Sequence, residues 1–451
     1  MQSAQKSVTE NQDPDSTESL HYSDFVYRQQ QEIPRIYESI DFDKLPYRFS
    51  TDLADQTQIP AKYANLRKGY LANSERLKII RDYTMVGDKT ADAYASLIPE
   101  YGFKRLVEML EQALLHGIDT VENAPEELHA FMSELETVPD WVDMDLVEEG
   151  AKYERIRYAN VSPYVIRGGL LATFVNKYTA LPMAITGTFA SETSAKRVFE
   201  TASFFAATIM PGALERDGKG LYASAKVRLM HSMVRYNIMR RGKWDTEVYG
   251  VPIPQVDQMP AGMFSMFLMA EQVLKSGGTE FNAQQRARVE LARYRCYLLG
   301  LPEVLLETTP QGIFDVWMTR LSTLRTDYDS DTCGKLLKST MEADISGDFS
   351  IRGRLHTWLE RGFSKTFFLH KFLNGDIERA KEMGVKIGLS EKIGAVFAGI
   401  IAFGQFKFYS FLDKLPVFRG LAERRIVDKM TVLLDSYGHA DFVTDASQYK
   451  T

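Results

Sequence analysis

Apolar residues recur every three to four positions along most of this chain. In GFKRLVEMLEQALLHG (102–117), Leu106, Met109, Leu110, Ala113 and Leu114 fall on one stripe, the pattern of an amphipathic helix. AQQRARVELARYRCYLLG (283–300) repeats the period and ends at Gly300, a residue suited to the position just past a helix C-terminus. GIFDVWMTRLSTLRTDY (312–328), SKTFFLHKFL (364–373) and SAKRVFETASFFAAT (194–208) follow the same rule. Alternating Val/Ile/Thr runs between turn signals are scarce, and no repeat of 20–50 residues is visible. The pattern predicts an all-α fold.

The boundaries along the chain are soft. Residues 1–22 are polar and read as a disordered tail. Residues 23–137 form an N-terminal helical region, 138–380 a core that holds the motifs, and 381–451 further helices with a polar end. VPDWVDMD (138–145) reads as a loop with a tryptophan anchor, and GVPIPQVDQMP (250–260) as a proline-punctuated loop between helices. The most apolar run, IGAVFAGIIAFGQFKFYSFL (393–412), is interrupted by Gln405 and Lys407. Its clean part, about a dozen residues, is too short to span a bilayer. A buried C-terminal helix is the expectation there, with peripheral membrane contact left open.

Composition narrows the function classes. A net charge of −6 argues against a dedicated nucleic-acid surface. The two cysteines, Cys296 and Cys333, are isolated and form neither a disulfide framework nor a zinc ribbon. No secretory signal is visible at the N-terminus, which fits a cytoplasmic protein, with membrane association open. GxSxG, GxxxxGK[ST] and HExxH are all absent. A di-iron bundle would need two Glu-x-x-His pairs and two further glutamates, and Glu126–His129 supplies one pair.

The informative residue is His231, in VRLMHSMVRYNIMRRGKW (227–244), one of only seven histidines. On a helix from about Leu221 to Arg241 it shares a face with Ser224, Val227, Val234 and Ile238. An imidazole aimed into an apolar interior is either a core group bonded to a backbone carbonyl or a ligand to a metal centre such as haem iron. Arg228 and Arg235 flank it at i−3 and i+4, where they could reach haem propionates or serve as solvated edges. On 194–208, Arg197 and Thr201 lie one turn apart, in line with Phe204. An arginine on such a face needs a carboxylate or a ligand.

RLMHSMVR (228–235), then Trp244, GVPIPQVD (250–257) and FSMF (264–267), with VPDWVD (138–143) ahead of them, resemble the latex clearing protein family, over roughly 140–310. That family includes the prenyl-chain-cleaving oxygenase of mycophenolic acid biosynthesis. The resemblance implies a globin-like helical core with additional N- and C-terminal helices, holding haem b. It implies His231 as the proximal iron ligand and Arg197 and Thr201 as distal pocket residues. The implied activity is oxygenation of a lipophilic, isoprenoid-type alkene by O₂. The chain departs from the pattern in three places. Glu200 stands where rubber-cleaving members carry a lysine. The family's catalytic glutamate falls by spacing near Leu181, with Glu192 the nearest carboxylate. Pro254 stands at the usual asparagine of the proline loop. A haem protein without oxygenase activity and a cofactor-free helical interaction protein therefore stay open as alternatives.

Overall fold

The computed structural model describes residues 21–185, 191–345, 348 and 350–438, with Ser191, Glu192 and Thr193 described by backbone alone. The all-α expectation holds: the described residues contain no strand, only the isolated bridges Phe49–Leu324 and Thr57–Arg325. Thirteen of the helices surround the site or shape its surroundings: α1 (Lys89–Ala95), α2 (Ile98–His116), α3 (Glu126–Glu136), α4 (Met144–Val161), α5 (Lys177–Ile185), α6 (Ser191–Ala207), α7 (Lys219–Arg240), α8 (Gln255–Lys275), α9 (Ala283–Leu298), α10 (Pro310–Thr323), α11 (Ile351–Phe372), α12 (Leu389–Asp413) and α13 (Pro416–Tyr437).

Helix α7 is the axis of the assembly. It packs against α1, α2, α5, α6 and α9, so its fourteen buried residues look out in several directions. Ala225, Leu229 and Met233 join the apolar stripes of α2 and α3, while Val234 and Ile238 join Ile36, Met85 and Trp244. A third cluster, built on Met259, Met263, Met266 and Phe267 of α8, packs against α9 and α10. Helix α9 lies along α4, and α4 in turn supports α12 and α13.

Several sequence readings meet their physical reasons here. Gly300 has φ of +88° and completes the C-terminus of α9: its N–H bonds the Tyr297 carbonyl, and that of Leu301 bonds Cys296 O at 3.1 Å. Trp141 anchors its loop under the Arg293 guanidinium, 4.2 Å from the ring centroid. The helix read over 312–328 ends at Thr323. The chain then turns extended, as Leu324 and Arg325 bond to the 48–58 segment. Tyr22, assigned by composition to the tail, is buried against Arg81, and residues 1–20 of that tail lie outside the described residues.

Two readings are corrected. The proline loop is shorter than its punctuation suggests, because α8 begins at Gln255 and contains Pro260. A proline inside a helix leaves the carbonyl four residues earlier without its N–H partner. That carbonyl belongs to Val256, and the buried Arg320 donates to it at 2.6 Å from Nε. The same guanidinium joins Arg48 in holding Asp257. The second correction concerns 393–412. It lies within α12, 25 residues long, and α12 is the one described helix long and apolar enough to cross a membrane by length and composition. It is not buried. Its large apolar side chains face outward, and it packs inward through Gly394, Ala395, Ala398 and Ala402.

Arg320→Met keeps a long apolar side chain but orphans the Val256 carbonyl and weakens the hold on Asp257. A loss of about 2–4 kcal/mol is expected, from an unsatisfied buried acceptor and a broken buried charge pair. Urea denaturation with an unchanged m-value would show it.

Candidate functional site

His231 sits in the second half of α7, deep in the fold, yet its side chain keeps a partly accessible face. Its Nδ1 lies 3.2 Å from Oε1 of Gln258 on α8. The chain of bonds behind that contact decides the tautomer. Gln255 donates from Nε2 to the Gly87 carbonyl at 2.9 Å, and a carbonyl can only accept. Gln255 therefore offers Oε1 to Gln258, whose Nε2 donates at 3.3 Å. That leaves Oε1 of Gln258 facing His231, so Nδ1 must carry the hydrogen. In the neutral imidazole, Nε2 is then a bare lone pair, the form a metal requires. Burial pushes the His231 pKa down to about 4, the Gln258 bond opposing and the nearby Arg235 charge assisting.

The relay ends on a segment that also grips α7 at two other points. Arg228 donates from Nε to Asp88 at 2.6 Å and from Nη2 to Asp88, Thr90 and Glu134. Arg235 pairs with Asp92 and donates to the carbonyls of Pro252 and Ile253. Asp92 is held in turn by the Tyr37 hydroxyl and by the Asp88 backbone N–H. Burial disfavours both guanidinium charges, but the carboxylates more than offset it and raise both pKa values. This corrects the reading of Arg228 and Arg235 as propionate partners: their charge is already met by buried carboxylates, and they work as anchors of α7. Gly87 makes the crowding feasible. A Cβ there would lie 2.8 Å from Arg235 Nε and would collide with Tyr37 and Asp92.

The conspicuous motif now has a mechanical meaning. The Trp244 indole donates to Gly250 O at 2.7 Å, and Gly250 has φ of +66°. Ile253 takes φ of +50°, a strained value for a β-branched residue, and its carbonyl is held by Arg235. The loop so clamped delivers Gln255 and Gln258 to the histidine. Neither glutamine was singled out from sequence, although Gln255 stands inside GVPIPQVD and Gln258 one turn beyond it. Asp88 and Asp92 carried no sequence signal.

The candidate distal residues lie on α6, which packs on α7. Arg197 and Thr201 are both half-buried, one turn apart. Among the described residues the Thr201 hydroxyl has no hydrogen-bond partner. Phe204 is buried in the α8 cluster, and Phe205 and Val227 pack against it. Glu200 makes the i, i+4 pair with Lys196 at 3.8 Å, and burial raises its pKa. Leu181, on α5, packs against the Val234–Ile238 cluster and brings no carboxylate. The Glu192 side chain lies outside the described residues. Glu126 and His129 are exposed on α3, and no group of three or more His, Cys, Asp or Glu that could hold a bare metal ion occurs among the described residues.

An all-α fold thus holds, between packed helices, a half-buried neutral histidine with its tautomer fixed and one ring nitrogen free to act as a ligand. Residues 157–368 match the family described as "ER-bound oxygenase mpaB/B'/Rubber oxygenase, catalytic domain", and over this stretch the chain is similar to that domain. The match starts beyond VPDWVD and runs past the proline loop and α10 into α11. A solved structure of latex clearing protein in the closed state has the same fold, with a TM-score of 0.53 and 16% identity, covering 78% of this chain and 91% of that one. Among curated proteins none matches the chain by sequence.

Two outcomes follow. Asp92→Asn leaves Arg235 buried without its counter-ion and is expected to cost about 3–5 kcal/mol, read by urea unfolding. The His231 ring protons should titrate near 4, assigned by comparison with His231→Phe in an NMR series. The folded pKa lies below the ordinary 6.5, so the unfolded chain takes up the proton first. His231 therefore makes acidification from about pH 6.5 to 4 destabilising, and the phenylalanine variant lacks that part of the loss.

Proposed function

We propose that the protein is a haem b-dependent oxygenase acting on an apolar, isoprenoid-type alkene, with His231 as the proximal iron ligand. The observation that supports it most is the free Nε2 of a neutral, oriented imidazole inside a stretch similar to an oxygenase catalytic domain. The donor set fits a haem: one neutral nitrogen ligand, an outer hydrogen bond from its other nitrogen, and valines one turn to either side on the same helix. When bound, the haem supplies the chemistry that turns O₂ against a carbon–carbon double bond. The chain's own residues do the rest. Gln258 accepts from Nδ1–H, which keeps Nε2 aimed and raises its basicity. Val227 and Val234, one turn to either side of His231 on α7, give its neighbourhood apolar character. Thr201 offers a hydroxyl that has no hydrogen-bond partner among the described residues, and Arg197 a cation one turn away, to position oxygen. O₂ and a lipophilic small molecule are the partners of this site.

A second reading keeps the haem and drops the oxygenase turnover. It is favoured by the apolar Leu181 at the expected place of the catalytic carboxylate and by Glu200 in place of the lysine. The two readings part on oxygen consumption with an alkene present.

The protein expressed with a haem supply should show a Soret band at about 400 nm, as histidine-ligated haem b does, and His231→Ala should lose it. Gln258→Leu should retain the band with haem affinity lowered about 10–100-fold, the usual effect of removing an outer-shell partner. A wild-type protein that stays colourless overturns the proposal.

A further inference from the structure

Helix α12 is built inside-out for a water-facing element. Its inward face is Gly394, Ala395, Ala398 and Ala402, fitted closely to α11. A Cβ on Gly394 would come within 3.2 Å of the Trp358 carbonyl, and one on Gly362 within 2.6 Å of the Glu391 carbonyl. Its outward face displays Val396 at 62% exposure, Phe397, Ile400 at 66%, Phe408 and Phe411, and the row continues onto α13 with Val417 at 87%. Small residues inward and large apolar residues outward is the arrangement of helices whose surroundings are lipid tails. An exposed patch of this extent marks an interaction surface.

Charge selects the occupant. From residue 386 to the end of α13 at Tyr437 the exposed charged side chains are Lys386, Lys392, Lys407, Lys414, Arg419, Arg424 and Arg425 against two acidic ones, Asp428 and Asp435, in a chain of net charge −6. A second copy would bring a like-charged rim against this one. The terminal segments 1–20 and 439–451 are too polar to cover an apolar row of this length. A surface both greasy and anionic matches apolar row and basic rim together. The hairpin is also tied to the body by charged and polar groups that would not enter hydrocarbon. Lys152 of α4 pairs with Asp413, Arg155 with Glu423, and Lys429 bonds Asn160 and Gln405. Docking on one leaflet satisfies these contacts, and crossing the bilayer does not.

We infer that the α12–α13 hairpin docks this protein onto an anionic phospholipid surface, with the outward row in the headgroup–acyl boundary and the basic side chains on the headgroups. The inference is independent of the haem reading.

The test is co-sedimentation of the full chain with phosphatidylcholine vesicles, with and without phosphatidylserine. The chain should pellet with the phosphatidylserine vesicles and be released by 0.5 M salt, an ionic strength chosen to screen the rim. Phe397→Ser with Ile400→Ser, and separately Arg424→Glu with Arg425→Glu, should each weaken binding about tenfold or more. Both pairs are exposed, and an unchanged thermal transition shows that the variants fold. Failure of the wild type to pellet with phosphatidylserine vesicles overturns the inference, as does wild-type binding by the Phe397/Ile400 variant. A concentration-dependent dimer in sedimentation velocity that this variant abolishes, without vesicle binding, assigns the face to a second copy and overturns it too. Resistance of the cell-expressed protein to alkaline carbonate extraction would mean crossing and would equally overturn it.

Discussion

Everything at the candidate centre hangs on one short segment, Val86 to Asp92, a loop that runs into the first turn of α1. Its carbonyls fix both the backbone and the side chain of Gln255, and its two aspartates hold the arginines on either side of His231. A buried guanidinium without a carboxylate is strongly disfavoured, so α7 has one seating in which both charges are met. That seating aims the imidazole at Gln258. Two kinds of constraint, charge pairing along α7 and amide directionality across to α8, thus converge on one side chain. Each alone would leave it freedom: the ion pairs set the helix but not the ring, and the amides set the ring but not the helix.

The helical class and most helix positions were legible because the apolar stripes are long and regular. Period and cap agreed at α9, where Gly300 ends the stripe. What misled was punctuation and edge composition. Pro260 looks like a loop residue until a side chain from α10 is seen bonding the carbonyl it leaves open, a contact 64 residues away in sequence. Tyr22 looks like part of a polar tail until Arg81 stacks on it. The 393–412 run looks like a core helix because hydropathy cannot say which side of a helix its neighbours cover.

The same divide runs through the site. His231 stood out as a lone imidazole in an apolar and basic stretch, and Arg197 and Thr201 by their spacing. Arg228 and Arg235 were placed on the correct face and given the wrong task, because their counter-charges lie some 140 residues upstream. Gln255 and Gln258 had nothing to announce them: an uncharged amide in a helix acquires meaning only when its partner chain is traced to a backbone carbonyl that cannot donate.

The relay also bears on modularity. The stretch that matches the oxygenase family runs from 157 to 368, yet Tyr37, Gly87, Asp88 and Asp92, which hold the histidine helix and the amide pair, all lie before it. The N-terminal third is therefore no accessory that can be trimmed or exchanged. Cut out at its recognisable borders, the catalytic portion would leave two arginines without counter-ions and a glutamine without its anchor. The recognisable unit and the foldable unit of this protein are not the same piece of chain.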